Sequence, residues 1–373
     1  MENSNLVWYN SIDVITKTSK NANIDYESLP GFYNYSCIHK FFANNLSMTD
    51  RYNTVKLPIK TKTLDLCRAP EFKIQTLDYE TIAVSRARWF MDYAKLTNRK
   101  LFIMWSGGID SSSIVCSFIQ ACTPEEIKEN ILLGMSEYSI RENPTLYRQF
   151  ILPMFEKVSS HRFTFYLGHK DYITITGEGN DQLFGSAVMA DLLKMDKDII
   201  TKSVNNDLLV KCFDTKIKDL TVSNKLVEIF NHAVTCAPIP IDTIFHYFWW
   251  LNYQFKWQSV YVRILSLTTK ENAVTLTPGD NYFTFFHTDE FQLWALNNYN
   301  NLIRNDWLTY KFVCKDLIFK VNNDAVYRDR KSKEGSLGHI AVYKEMGTSI
   351  DENFKISYDP IDLSHWNNNN DFV

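Results

Sequence analysis

Short apolar runs closed by turn residues alternate with helix-spaced segments through the first half of this 373-residue chain. Between Tyr79 and Leu96 the apolar positions Ile82, Val84, Ala87, Phe90, Met91 and Ala94 recur on one helical face, which predicts a helix. Leu101-Phe102-Ile103-Met104 follows, then a glycine turn, then Ile114-Val115-Cys116-Ser117-Phe118-Ile119. That order reads as buried strand, turn and helix start. Ile131–Met135, Phe163–Leu167 and Tyr172–Thr176 are short, apolar or β-branched and bounded by turn residues, so each reads as a further strand. The segment from Thr145 to Val158 has helical character. Alternation of this kind predicts an α/β fold, a parallel sheet flanked by helices, with ligands at the carboxyl ends of the strands.

Beyond Met189 the pattern is mainly helical to about residue 345, with Asn272 to Phe286 as an extended exception. The aromatic helix around Trp249, Trp250 and Trp257 reads as core, although Asn252 and Lys256, one turn apart, could face a pocket. Residues 1–70 show no long period and read as a small irregular section, and residues 346–373 as a loose tail.

Composition narrows the class. Hydrophobic residues at 45% and aromatics at 14% can fill a core, which excludes a disordered chain. A net charge of −3 gives no general attraction to nucleic acid or anionic lipid. The seven scattered cysteines include no Cys-x-x-Cys pair, against a disulfide framework or thiolate zinc site. The histidines form no ligand-spaced set. With no spanning apolar stretch and no basic-then-apolar leader, the expected setting is the cytoplasm, away from membranes.

Candidate chemistry sits at two strand ends. Trp105-Ser106-Gly107-Gly108-Ile109-Asp110-Ser111-Ser112-Ser113 closes the first strand. Its glycines allow the backbone to approach a bound group closely, and its serines would add hydroxyl donors and cap the following helix. Helix N–H groups and the positive dipole end then converge on one point, which suits a phosphate. Thr176-Gly177-Glu178-Gly179-Asn180-Asp181-Gln182-Leu183-Phe184-Gly185 closes the Tyr172–Thr176 strand and adds two carboxylates. Asp110 and Asp181 could hold a single Mg²⁺ bridging the phosphates of ATP.

The ordered pair Ser-Gly-Gly-Ile-Asp-Ser-Ser and Gly-Glu-Gly-Asn-Asp-Gln-Leu-Phe-Gly resembles the synthetase domain of asparagine synthetase and β-lactam synthetase. These are PP-loop enzymes, or N-type ATP pyrophosphatases, with an adenine nucleotide α-hydrolase-like sheet. Weaker echoes are Thr284–Phe291 and the late segment Tyr327–Gly335, so the resemblance spans a synthetase domain at 71–345.

The resemblance implies a ligase using ATP and Mg²⁺. It would adenylate a small-molecule carboxylate, release pyrophosphate, and pass the acyl group to ammonia or an amine. Ser106, Gly107, Gly108, Asp110, Ser111, Ser112, Gly177 and Asp181 would hold the nucleotide, with Asp110 and Asp181 on the metal. Glu178 would orient or deprotonate the amine. Lys333 is the preferred late lysine to neutralise charge, two residues before Gly335, with Lys331 as its alternative. Glu2 stands where glutamine-using relatives carry a catalytic cysteine, and the section before the synthetase core is too short for their glutaminase domain, so nitrogen would come from outside. Two alternatives stay open: a PP-loop enzyme modifying a nucleobase or nucleoside through an adenylated intermediate, and an inactive ATP- or AMP-binding regulator.

Overall fold

The computed structural model describes residues 20–21, 23–42, 50–55, 67–185, 187–265, 267–304 and 306–332. Its sheet has five parallel strands: β1 (Lys100–Met104), β2 (Ile131–Met135), β3 (Glu156–Ser159), β4 (Tyr172–Thr176) and β5 (Tyr282–Thr284). Their order is β3-β2-β1-β4-β5. The direction of winding reverses between β1 and β4, the place where open α/β sheets bind ligands. Leu101, Phe102, Ile103 and all of β2 are buried, the continuous apolar run of strands covered on both faces.

The chain divides into two compact units. One holds the sheet and is built from Gln75–Asn180, Leu267–Trp294 and the chain from Leu308 onward. Within it, helix α1 (Tyr79–Thr97) starts at Asp78, whose carboxylate accepts from the Thr81 N–H at 2.7 Å. Helices α2 (Ile109–Ala121), α3 (Glu137–Glu142), α4 (Phe312–Asn322) and α5 (Ala325–Arg330) complete the part of this unit that concerns the site. Phe90 of α1 meets Phe283 of β5 edge-on at 5.3 Å, and Phe118 of α2 lies 6.3 Å from Phe285. On the other face Phe102 stacks on Tyr166 at 4.5 Å.

Two expectations need correction here. Phe163–Leu167 is not a strand: Phe163–Tyr166 is a helical turn. Phe163 and Tyr166, three residues apart, both reach Phe102, a contact that helical spacing supplies. The strand in this region is Glu156–Ser159, at the end of the stretch read as helical. It is a polar edge strand bonded to β2 alone among the described strands, so no apolar run announces it. Of the extended exception Asn272–Phe286, Tyr282–Thr284 forms β5.

The second unit is helical and draws on the chain up to Ile74, Asp181–Ser266 and Ala295–Trp307. The section read as irregular contributes a ten-residue helix, Phe32–Phe41. Phe41 packs edge-on against Phe213 and Phe230 at 5.0 and 5.8 Å, and Phe213 lies 5.1 Å from Phe248. All twelve residues of the Ile244–Phe255 helix are buried, as the aromatic run implied. Asn252 on this helix is buried and bonds within the protein. Its Nδ2 donates to the carbonyls of Asp181 and Gly185 at 2.9 and 2.7 Å, clamping the start and end of the second glycine motif's helix.

Asn252→Leu keeps the volume but leaves those carbonyls without their donor, so it should destabilise the protein by about 2–3 kcal/mol. Urea unfolding at unchanged m-value measures this, and a loss below about 0.5 kcal/mol would refute the clamp.

Candidate active site

β1 ends at Met104, and the chain turns through Trp105-Ser106-Gly107-Gly108 into α2. Gly107 has φ +79°, a left-handed conformation that glycine adopts without steric cost. A Cβ there would stand 2.3 Å from the Ser139 carbonyl oxygen and 2.4 Å from Glu142 Cβ. The glycine therefore makes room for α3, a neighbour within the protein, and not for a bound group as the sequence suggested. Gly177 plays the same part from the next strand: a Cβ on it would meet Asp110 Cβ at 3.3 Å. The end of β4 and the first turn of α2 thus lie against each other.

The serines differ from expectation in a useful way. The N-cap of α2 is Gly108, with no side-chain cap, so the N–H groups of the first helical turn are not taken by a capping serine, although Ser106 Oγ accepts from the Gly108 N–H at 3.3 Å. Ser112 is fully buried and braces the turn. It accepts from the Trp105 indole N–H at 3.1 Å, donates to the Gly107 carbonyl at 3.1 Å, and receives Asn143 Nδ2 at 3.4 Å. Ser111 Oγ accepts from the Ser106 N–H at 3.0 Å and lies 3.0 Å from Ser106 Oγ. Half-buried Ser106, Gly108 and Asp110 stand at the rim. The result is a rigid turn at a bare helix start, suited to an anion.

Asp110 is the hub. Its Oδ1 accepts from Asn180 Nδ2 at 2.7 Å and from the ammonium of Lys311, the N-cap residue of α4. The Lys311 side chain is 2% exposed and that of Asp110 32%. Behind them, Tyr79 donates to Asn180 Oδ1 at 3.1 Å, and Cys314 Sγ lies 3.1 Å from the Tyr79 hydroxyl. Burial raises the Tyr79 phenol and pushes the Cys314 thiol up to about 12, so both are neutral hydrogen-bonding groups, not proton carriers at pH 7.

The late segment docks on the same turn. Tyr327 of α5 donates to the Gly107 carbonyl at 2.9 Å. Lys331 is buried and paired with Glu142, the residue whose Cβ faces Gly107. Lys333 and Gly335 lie outside the described residues, as does the tail 346–373. Glu178 is half-buried in the turn Gly177-Glu178-Gly179, with φ +94° at Gly179. Asp181 follows on the Asn180–Phe184 helix, as the first residue of the helical unit.

Sequence reasoning located the turn, Asp110, Gly177 and Glu178 but missed Lys311 and Asn180 as partners of the carboxylate, and Tyr79 as the donor behind Asn180. Lys311 carries no motif; a lone lysine ahead of an apolar helix gives no signal. Among the described residues no group of three or more His, Cys, Asp or Glu could hold a metal. A hard cation such as Mg²⁺ needs less, because one or two carboxylates and substrate phosphates complete its shell. Asp110, an oxygen donor at a phosphate-suited turn, fits that requirement.

Gly107→Ala should cost about 3 kcal/mol, combining a left-handed Cβ with overpacking against Ser139 and Glu142. Tyr327→Phe should cost about 1 kcal/mol through its lost bond to Gly107. Denaturant unfolding reads both, and a Gly107→Ala protein as stable as wild type would contradict the packing described. No protein-family model matches the chain, and no curated protein or solved structure gives a significant match.

Proposed function

We propose that the protein is an ATP-dependent ligase that adenylates a carboxylate and transfers the acyl group to ammonia or an amine. One observation carries the reading: the two glycine-and-acid loops leave adjacent parallel strands, β1 and β4, where the strand order reverses. The uncapped start of α2 and the braced turn before it suit a polyphosphate.

A substrate carboxylate oxygen attacks the α-phosphorus, the bond from that phosphorus to the β-phosphate bridge breaks, and pyrophosphate leaves. The amine nitrogen then attacks the acyl carbon, and AMP departs with the carboxylate oxygen. Glu178, on the turn that follows β4, takes the proton lost by the amine. Asp110 is the carboxylate of the sheet unit that would hold a divalent cation, which when bound neutralises phosphate charge. The sequence pairs it with Asp181, and the late lysine role belongs to Lys333 or to Lys331, the buried one.

A second reading draws on the ion pair of Asp110 with Lys311: a nucleotide-binding regulator whose carboxylate is committed to the lysine. ATP–pyrophosphate exchange across a panel of carboxylates separates the two. The ligase predicts carboxylate-dependent exchange that falls at least about 100-fold in Asp110→Asn. Glu178→Gln should retain exchange while amide formation drops by about 100-fold or more. ATP binding without exchange selects the regulator, and ADP as product defeats adenylation.

A further inference from the structure

Lys311 is a buried cation that neither glycine motif accounts for. Its backbone stands at φ +57°, a left-handed conformation unusual for a side-chain-bearing residue, and from there the side chain runs inward to Asp110. Its ammonium and the Asn180 amide converge on Oδ1, while Oδ2 accepts no hydrogen bond among the described residues. At the mouth, the charge of Asp110 is therefore already balanced before any ligand arrives. A bare divalent cation meets a neutralised carboxylate, a lysine ammonium and the positive end of α2. A polyphosphate meets the same positive groups with the opposite sign of energy.

We infer that Lys311 makes this a site for the metal–nucleotide complex and not for the metal alone, with its ammonium serving as a second cation beside the polyphosphate. The inference rests on the proposed nucleotide site and adds to it an order of binding and a phosphate-binding residue. A divalent ion enters with the phosphates, whose negative charge supports Lys311 and the metal together. Free divalent ion without nucleotide is held off by the lysine.

The test is binding, independent of turnover. Free Mn²⁺ is titrated by electron paramagnetic resonance against the full chain, and Mn²⁺–ATP by calorimetry, for wild type and Lys311→Met. Removing the ammonium leaves Asp110 hydrogen-bonded to Asn180 and partly in water, so the fold is expected to persist; thermal melting checks this. Lys311→Gln, which keeps a donor to the carboxylate, replaces it if the methionine variant does not fold. The expected result is an opposite pair of shifts: Mn²⁺ alone binds at least tenfold tighter to the variant, and Mn²⁺–ATP at least tenfold weaker. A folded variant with unchanged or weaker affinity for Mn²⁺ alone, or with unchanged affinity for Mn²⁺–ATP, overturns the inference. Wild type that binds Mn²⁺–ATP with such a variant leaves the nucleotide site standing and removes only the role of Lys311. Wild type that binds no Mn²⁺–ATP overturns both.

Discussion

The sheet unit depends on one electrostatic constraint: the Lys311 side chain is 2% exposed, and its ammonium must find negative charge inside the protein. An ammonium taken from water without a partner costs several kcal/mol, so Asp110 cannot be placed freely. The pair joins positions 201 residues apart; Asn180 also donates to the same carboxylate, and Tyr79 donates in turn to Asn180. The start of α2, the end of β4, α1 and α4 are thereby brought to one point. Breaking the pair from the aspartate side takes a carboxylate away from a buried cation, whereas breaking it from the lysine side leaves a partly exposed carboxylate that water can serve. That asymmetry makes the lysine the member on which the fold depends, and leaves the carboxylate partly open at the rim.

Around this pair the turn is stiffened from two directions. Ser112 and Trp105 brace it from within, and Tyr327 holds the Gly107 carbonyl from α5. Gly107 lets a protein neighbour come closer than a Cβ would permit, and a Cβ on Gly177 would press tightly on Asp110. Rigidity here suits the chemistry proposed. Donors aimed in advance at developing phosphate charge need no reorganisation at the moment of reaction.

Much of this is legible in the sequence. β1, β2 and β4 are apolar runs between turn residues, and covered parallel strands must be apolar on both faces. β3 was hidden because an edge strand reading Glu-Lys-Val-Ser has little apolar surface to bury. Phe163–Leu167 misled because aromatic and β-branched residues suit a strand, yet the contacts of Phe163 and Tyr166 with Phe102 favour a helical turn. Asp110 and Glu178 stood out beside glycines at strand ends. Lys311 did not, since its meaning comes from a contact across 201 positions that no local pattern records. The helices beyond Met189 were legible, but their gathering with two other parts of the chain into one unit was not, for the same reason.

The central claim is that bond making occurs at the α-phosphorus with the substrate's own carboxylate oxygen. Oxygen-18 placed in that carboxylate follows the atom directly through a complete turnover with wild-type protein. Adenylation predicts one labelled oxygen in the AMP released and none in pyrophosphate. Label appearing in inorganic phosphate, with ADP as the nucleotide product, would contradict the account.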